Sequence, residues 1–276
     1  MRPSDALRVA AAALALVGLA ACMTAPLPAA TGPAEPVQLY AAGSLREAMT
    51  EIAQGYEAQT GVPMKLTFGA SGLLRERIEK GEGAQVFASA DTQHPATLAA
   101  ASAAWRTPAR FVRNKLCAVV NPSFPATPDT LLTLMLNPQV KLGTSTPKFD
   151  PAGDYAWALF RRAEALQPGA YQLLDAKALK LTGSPAAPNP PAGRGSYAWL
   201  METGQADLFL TYCTNARAVV RELPRMQVVA VPQALEVGAD YGVTSRAGDA
   251  RAQQLVQHLL SPTAQATFAR FGFGPP

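Results

Sequence analysis

The stretches VQLYAAGSL (residues 37–45) and MKLTFGASGL (residues 64–73) are the most informative part of the sequence for the fold. In each, an apolar strand-like run gives way to a predicted helix, and a serine, Ser44 or Ser71, lies at the junction. Such a serine offers its hydroxyl beside the unpaired N–H groups of the helix start, which attract anions. Two neighbouring junctions therefore predict one shared site for a small oxyanion. For either serine alone, an ordinary N-cap is the alternative.

The rest of the chain continues the alternation of strand and helix. Strands are predicted at residues 37–42, 64–68, 86–88, 116–120, 140–144, 208–212 and 228–231. Helices are predicted at residues 45–59, 73–80, 94–104, 129–136, 152–166, 196–203 and 250–269. This alternation predicts an α/β fold of parallel sheets flanked by helices. Ligands of such folds bind at the carboxyl ends of the strands, where both serines are.

The sequence resembles the molybdate-binding proteins, the solute receptors of ABC importers. The matching pieces are AAGSLREAMTEIAQGYEAQTG (41–61), LTFGASGLLRERIEKG (66–81), QVFASAD (85–91), FVRNKLCAVVNP (111–122), DPAGDYA (150–156), METGQADLFLTY (201–212) and the stretch 241–274. The likeness is collinear over most of the chain and looser between residues 160 and 200. It implies a periplasmic binding protein of type II, with two Rossmann-like lobes joined by a hinge and the ligand in the cleft. It implies a receptor and not an enzyme.

The predicted lobe boundaries lie in two stretches of the sequence. Residues 105–113 and 231–238 contain proline, arginine or glycine and are predicted to carry the chain from one lobe to the other. Lobe I then consists of residues 36–110 plus 232–276, and lobe II of residues 111–231.

The resemblance also implies ligand contacts from lobe II. Ala152 lies in Pro151-Ala152-Gly153, which opens a predicted helix whose first N–H groups are free to donate, so its backbone is a candidate contact. The alternative for Ala152 is an ordinary helix start. Tyr212, at the end of the strand DLFLTY, matches the family's ligand-binding tyrosine. Its alternative is a tyrosine at a sheet end with a solvated hydroxyl.

The sequence departs from the family at Arg194 and Gly195. One of these two residues lies where the family offers the backbone N–H of an apolar residue. A guanidinium in the cleft would add a charge-assisted contact to an anion, or would select a different anion. The alternative is an exposed arginine at the edge of the Pro-rich loop 183–193.

The expected ligand is a tetrahedral dianion, molybdate or tungstate. No cofactor is expected. Such an anion carries no proton near neutral pH, so its site should consist of hydrogen-bond donors strengthened by helix dipoles and desolvation. Sulfate fits the same donors, whereas phosphate is partly protonated and usually needs an acceptor. The alternative function is a receptor for sulfate, a phosphate-like anion or a small carboxylate that uses Arg194.

The amino terminus predicts export. Arg2 and Arg8 precede an apolar run too short to span a membrane, which ends in Leu-Ala-Ala-Cys at residues 19–22. This pattern looks like a lipoprotein signal peptide (residues 1–22) ending at Cys22, the acylated residue, followed by a flexible tether (residues 23–35). The alternative is a secretory signal cleaved near residue 30. We expect a monomeric periplasmic lipoprotein, held at the membrane only by its lipid, that serves an inner-membrane ABC permease.

Charge and cysteine content restrict other functions. The net charge of +4 without a run of basic residues does not favour nucleic-acid binding. His94 and His258 lack the spacing of metal ligands, so no bound cation is expected. Cys117 and Cys213 lie on or beside apolar strands in an oxidising compartment, where they form either a disulfide or two buried thiols.

Overall fold

The structure is a computed structural model that describes residues 35–276. The predicted signal peptide, Cys22 and all of the tether but its last residue lie outside the described residues. Within residues 35–276, no helix is both long and apolar enough to cross a membrane.

The described residues contain nine strands and ten α-helices. The strands are β1 (Val37–Ala42), β2 (Met64–Gly69), β3 (Val86–Ser89), β4 (Ala109–Val120), β5 (Leu142–Ser145), β6 (Leu179–Thr182), β7 (Leu208–Tyr212), β8 (Gln227–Ala230) and β9 (Gly238–Ser245). The helices are α1 (Arg46–Thr60), α2 (Ser71–Glu79), α3 (Gln93–Ala101), α4 (Leu131–Leu136), α5 (Pro151–Leu166), α6 (Ala170–Lys177), α7 (Ser196–Glu202), α8 (Cys213–Glu222), α9 (Ala250–Leu260) and α10 (Pro262–Arg270). Short 3₁₀ turns, Gly43–Leu45 and Pro128–Thr130, precede α1 and α4.

The strands follow the order β2-β1-β3-β9-β4-β7-β5-β6, and β8 pairs with β4. β1 is parallel to β2 and β3, and β5 is parallel to β6 and β7, as predicted. The predicted parallel arrangement does not extend to the middle of the sheet, where β9 is antiparallel to β3 and β4, and β4 is antiparallel to β7 and β8. β9 was not predicted, because its two glycines and its polar residues interrupt the apolar run that marks a buried strand.

β4 joins the two parts of the sheet. Residues 109–115 pair with β9, and residues 116–120 pair with β7. Residues 109–113, the second part of the stretch predicted to carry the chain between the lobes, are already strand. Backbone contacts group all the described residues into one compact unit, so the lobe boundaries at 110/111 and 231/232 stay a prediction.

The predicted helix 250–269 is two helices. Ser261 has an extended backbone, and its hydroxyl accepts a hydrogen bond from the Ala264 N–H at 3.4 Å, which caps the second helix. Pro262 follows at the first helical position, where its missing N–H costs nothing. Helices α6 and α8 and strand β6 were not predicted.

Helices cover both faces of the sheet, as the nearly continuous apolar strands predict. Leu39 packs in the main core with residues of α1, whereas Tyr40, its neighbour in β1, packs with residues of α2 and α3. In β7, Leu210 belongs to the main core, and Phe209 packs with residues of α7 and α8.

The Cys117–Cys213 disulfide is present, with an S–S distance of 2.01 Å. It fastens the first residue of α8, directly after Tyr212, to β4. Of the two alternatives left open by the sequence, the disulfide is confirmed.

Removing the disulfide is expected to destabilise the protein substantially. The bridge joins residues 96 positions apart, and such a cross-link typically contributes about 2–4 kcal/mol by restricting the unfolded chain. The Cys117→Ala/Cys213→Ala variant should therefore lose about that much free energy of unfolding in urea titrations. Wild-type protein in a thiol reductant is the matched control and should approach the variant. Equal stability of the variant and the oxidised wild type would contradict this prediction.

Candidate functional site

Ser44 and Ser71 lie at one edge of the sheet. Ser44 is in the 3₁₀ turn that follows β1, and Ser71 is the first residue of α2, after β2. The two strands are parallel and paired to their last residues, Ala42 opposite Gly69, so both junctions emerge side by side. The N-cap positions are occupied by Ala42 and Ala70. The alternative of ordinary N-cap serines is therefore not realised.

Two tyrosines, whose rings pack against each other, join these serines in one cluster. The Ser44 Oγ lies 2.8 Å from the Tyr241 hydroxyl, and the Tyr241 and Tyr212 ring centroids are 5.5 Å apart. The Tyr212 hydroxyl donates to the Ala90 carbonyl at 3.3 Å, and the Ala90 N–H donates to the Ser71 Oγ at 3.1 Å. We call Ser44, Ser71, Tyr212, Tyr241 and the Ala90 backbone the serine–tyrosine cluster.

The cluster is buried, and this determines its charge. Ser71, Tyr212 and Tyr241 are almost fully buried, and Ser44 is half-buried. Desolvation raises the pKa of both tyrosine hydroxyls well above the ordinary value, so they stay protonated at neutral pH. The four side chains of the cluster therefore carry hydroxyl hydrogens and no charge.

The loop before α5 packs on the start of α2. The Gly72 N–H donates to the Phe149 carbonyl at 2.8 Å. A Cβ at position 72 would lie only 2.5 Å from the Lys148 carbonyl oxygen, so glycine is required there. Lys148 itself has a left-handed backbone with φ of 70°, a conformation that costs energy in a non-glycine residue. This contact brings the start of α5, with Ala152, to the end of α2 that carries Ser71.

The Ala152 N–H is not free, in contrast to the prediction. It donates to the Asp150 Oδ1 at 3.1 Å, because Asp150 is the N-cap of α5. Asp150 was not predicted as a site residue, although an aspartate before Pro-Ala-Gly is a strong N-cap signal. Burial raises the pKa of this carboxyl to about 6. An acid thus lies beside a candidate ligand contact that was expected to be surrounded by donors only.

Asp150 should make stability depend on pH. Its pKa is about 6 in the fold and about 4 in an unfolded chain, so its ionisation opposes folding. The stabilisation is complete below pH 4 and is lost as the pH rises through about 6. Asp150→Asn keeps a cap acceptor without the charge. Between pH 4 and 6.5 the wild type should therefore lose about 1–3 kcal/mol relative to this variant in urea titrations. Parallel pH profiles of the two proteins would contradict the assigned ionisation.

Arg194 and Gly195 are not brought to the cluster. Arg194 forms ion pairs with Glu202 (2.6 Å) and Glu222 (2.5 Å), and the Gly195 N–H donates to Glu222 at 3.1 Å. Glu222 is the last residue of α8, nine residues after the helix begins next to Tyr212, which is about 14 Å along the axis. Arg194 is half-buried beside the Pro-rich loop, and these contacts do not support a ligand contact.

Asn114 and Tyr241 were not predicted as site residues. Asn114 is buried in β4, and its Nδ2 lies 3.3 Å from the Tyr241 hydroxyl and 2.9 Å from the Thr214 Oγ1. Both residues lie in pieces that match the family, but neither has a local pattern that indicates a polar role. Among residues 35–276, no group of three or more His, Cys, Asp or Glu side chains is placed to hold a metal ion.

Comparison with known proteins agrees with this architecture. Residues 37–274 match the model of the family described as bacterial extracellular solute-binding protein. The chain is 31% identical over 248 residues to the molybdate-binding protein ModA of Escherichia coli, an alignment that covers 86% of this chain and 88% of the relative. The resemblance found in the sequence is thereby confirmed.

Two solved structures share the fold at low sequence identity. The periplasmic molybdate-binding protein of Azotobacter vinelandii superposes with a TM-score of 0.68 at 17% identity, covering 87% of this chain and 99% of the other. The sulfate-binding protein SubI of Mycobacterium tuberculosis superposes with a TM-score of 0.70 at 18% identity, covering 87% and 86%. These likenesses confirm the predicted fold class, the two-lobe α/β architecture of periplasmic binding proteins of type II. The chain belongs to the bacterial extracellular solute-binding protein family, which is a family of solute-binding proteins and not a class of enzymes.

Proposed function

We propose that this protein captures a tetrahedral oxyanion, molybdate or tungstate, and delivers it to an ABC permease in the inner membrane. The observation that carries the proposal is the continuity of the serine–tyrosine cluster, which joins Ser44 to Ser71 through two tyrosines and the Ala90 backbone. Identity to a molybdate-binding relative supports the choice of ligand.

The chemistry of the cluster suits an anion that carries no proton. The serine hydroxyls can donate to such an anion without contributing a full positive charge, and the protonated tyrosines beside them add no negative charge. Burial strengthens these hydrogen bonds because water does not compete for the donors. The start of α2 beside Ser71 adds the positive end of a helix dipole. Closure of the two lobes around the anion would then be stabilised by the ligand itself.

Asp150 favours a second candidate, an oxyanion that carries a proton, such as hydrogen phosphate. A carboxylate next to the Ala152 N–H can accept a hydrogen bond from a ligand hydroxyl, whereas it repels a dianion when ionised. Sulfate, which carries no proton, would use the same donors as molybdate. The arrangement of Arg194 in two surface ion pairs lends no support to a carboxylate ligand held by that residue.

A thermal-shift screen separates these ligands. Molybdate, tungstate, sulfate, phosphate and a simple carboxylate are each compared with buffer. A ligand at 100 times its Kd adds about 2.7 kcal/mol of stability, which is readily visible as a shift in Tm. The proposal predicts the largest shifts with molybdate and tungstate. A shift with phosphate alone would favour the second candidate, and a shift with carboxylates alone would contradict both.

The lipid anchor at Cys22 and the monomeric state belong to the same proposal. The leader's short apolar run and the Leu-Ala-Ala-Cys sequence support the anchor. A receptor held by its lipid would stay close to the permease that it serves, and no second membrane attachment is needed.

A further inference from the structure

The orientation of the buried Asn114 amide is fixed by the backbone. Its Oδ1 accepts a hydrogen bond from the Lys115 N–H at 2.9 Å, and a backbone N–H can only donate. The amide nitrogen must therefore occupy the other side. There it lies 2.9 Å from the Thr214 Oγ1 and 3.3 Å from the Tyr241 hydroxyl, so that each of its two hydrogens has one acceptor.

This orientation favours one direction for the next hydrogen bond. The Tyr241 hydroxyl accepts from Asn114, so its single hydrogen is available to the Ser44 Oγ at 2.8 Å, in a pair where either hydroxyl can donate. The Tyr241 ring is fully buried and packs edge-on against Phe111 and Phe273, with centroid distances of 6.4 and 5.7 Å. Its hydroxyl is thus held in place between Asn114 and Ser44.

The direction of these bonds determines what Ser44 can offer a ligand. When the Ser44 Oγ accepts from Tyr241, its own hydrogen is free to point elsewhere. If the chain of bonds ran the other way, Ser44 would donate to Tyr241 and present only lone pairs to an anion. We propose that Asn114 and Tyr241 are positioning residues that keep the Ser44 hydroxyl hydrogen available to an oxyanion without a proton. This inference rests on the function proposed above.

Asn114→Asp tests the direction with little change of shape. A carboxylate accepts on both sides, so the Lys115 N–H stays satisfied while the Tyr241 hydrogen turns toward residue 114. Ser44 must then donate to Tyr241. Molybdate affinity, measured by calorimetry on the full mature protein, is expected to fall at least tenfold. We call the chain of hydrogen bonds from Asn114 through Tyr241 to Ser44 the relay. Tyr241→Phe removes the relay without reversing it, so the molybdate affinity of this variant should fall less, about threefold. Thr214→Val, which removes the other acceptor of the amide, is the control and should bind within twofold of wild type.

The double variant Asn114→Asp/Tyr241→Phe distinguishes relay from structural damage or simple charge repulsion. Without the Tyr241 hydroxyl, the new carboxylate cannot act on Ser44, so the double variant should recover the affinity of Tyr241→Phe alone. Additive losses in the double variant, or an Asn114→Asp protein that binds like wild type, would overturn the inference. If the Asn114→Asp protein fails to fold, the inference is overturned when Tyr241→Phe binds molybdate as tightly as the wild type. If the wild-type protein binds none of molybdate, tungstate and sulfate, the proposed function is overturned as well. If the wild-type protein binds and the variants bind equally well, only the relay is overturned.

Discussion

Replacing Ser44 and Ser71 together by alanine is expected to abolish the molybdate-induced rise in Tm. Each hydroxyl supplies one hydrogen bond to a charged ligand, typically about 1.5–3 kcal/mol, so the pair accounts for about 3–6 kcal/mol of binding free energy if the effects add. The Kd should therefore rise by about 10²–10⁴-fold. At a molybdate concentration that gives wild type about 2.7 kcal/mol of added stability, the double variant should show almost none.

The control for this experiment is an exposed serine that also makes a hydrogen bond. The Ser102 Oγ accepts from the Ala104 N–H at 3.2 Å, so Ser102→Ala loses a comparable contact away from the serine–tyrosine cluster. Its ligand response should match wild type. The ligand-free Ser44→Ala/Ser71→Ala protein should still unfold cooperatively. A full ligand-induced shift in the double variant would contradict the assignment of the site.

Gly72→Ala is expected to lower both the stability of the protein and its affinity for molybdate. The new Cβ would lie 2.5 Å from the Lys148 carbonyl oxygen and 2.7 Å from that of Phe149. Both are backbone atoms, so the loop or α2 must move. Overpacking of this kind costs about 1–3 kcal/mol, and the shift would separate Ser71 from the start of α5. We expect that loss in urea titrations and at least a tenfold weaker molybdate affinity by calorimetry.

Gly55→Ala provides a matched comparison. Gly55 is an exposed residue in α1, and a methyl group added there would meet no atom within 4 Å. Alanine at this position improves helix propensity and should stabilise the protein by up to about 1 kcal/mol without changing affinity. The two glycine substitutions are thus expected to have opposite signs. Equal effects would show that the contact between α2 and the loop before α5 does not control stability or binding.

The serines could be predicted because their signal is local. Ser44 and Ser71 each follow an apolar strand and precede an amphipathic helix, and both features lie within about ten residues of the serine in the sequence. Parallel pairing of β1 and β2 then brings them side by side without further information. Tyr212 was predicted only through the resemblance, and the structure places it in the same cluster.

Tyr241 and Asn114 could not be predicted because their roles depend on distant pairing. They are 127 residues apart and meet only because β9 inserts between β3 and β4 in antiparallel orientation. β9 contains glycines and polar residues, so its sequence lacks the continuous apolar run that indicates a central strand. Antiparallel insertion also contradicts the parallel arrangement that alternating strands and helices favour.

For Arg194 the sequence suggested a ligand contact that the structure does not support, because the charge is paired with two glutamates away from the cluster. Its partners, Glu202 and Glu222, are 8 and 28 residues away, on α7 and α8. The Pro-rich loop 183–193 obscured the correspondence with the family at this point. An unpaired arginine and an ion-paired one look alike in a sequence, and only the positions of the helices distinguish them.

The proposed function depends on a single oxyanion that binds between Ser44 and Ser71 in the serine–tyrosine cluster. A crystal structure of the protein grown with molybdate, with anomalous data collected at the molybdenum edge, would locate the anion. We expect one strong anomalous peak, placed so that oxygens of the anion lie within hydrogen-bonding distance of both serine Oγ atoms. A peak outside the cluster, or one that contacts Arg194 instead of the two serines, would refute the assignment.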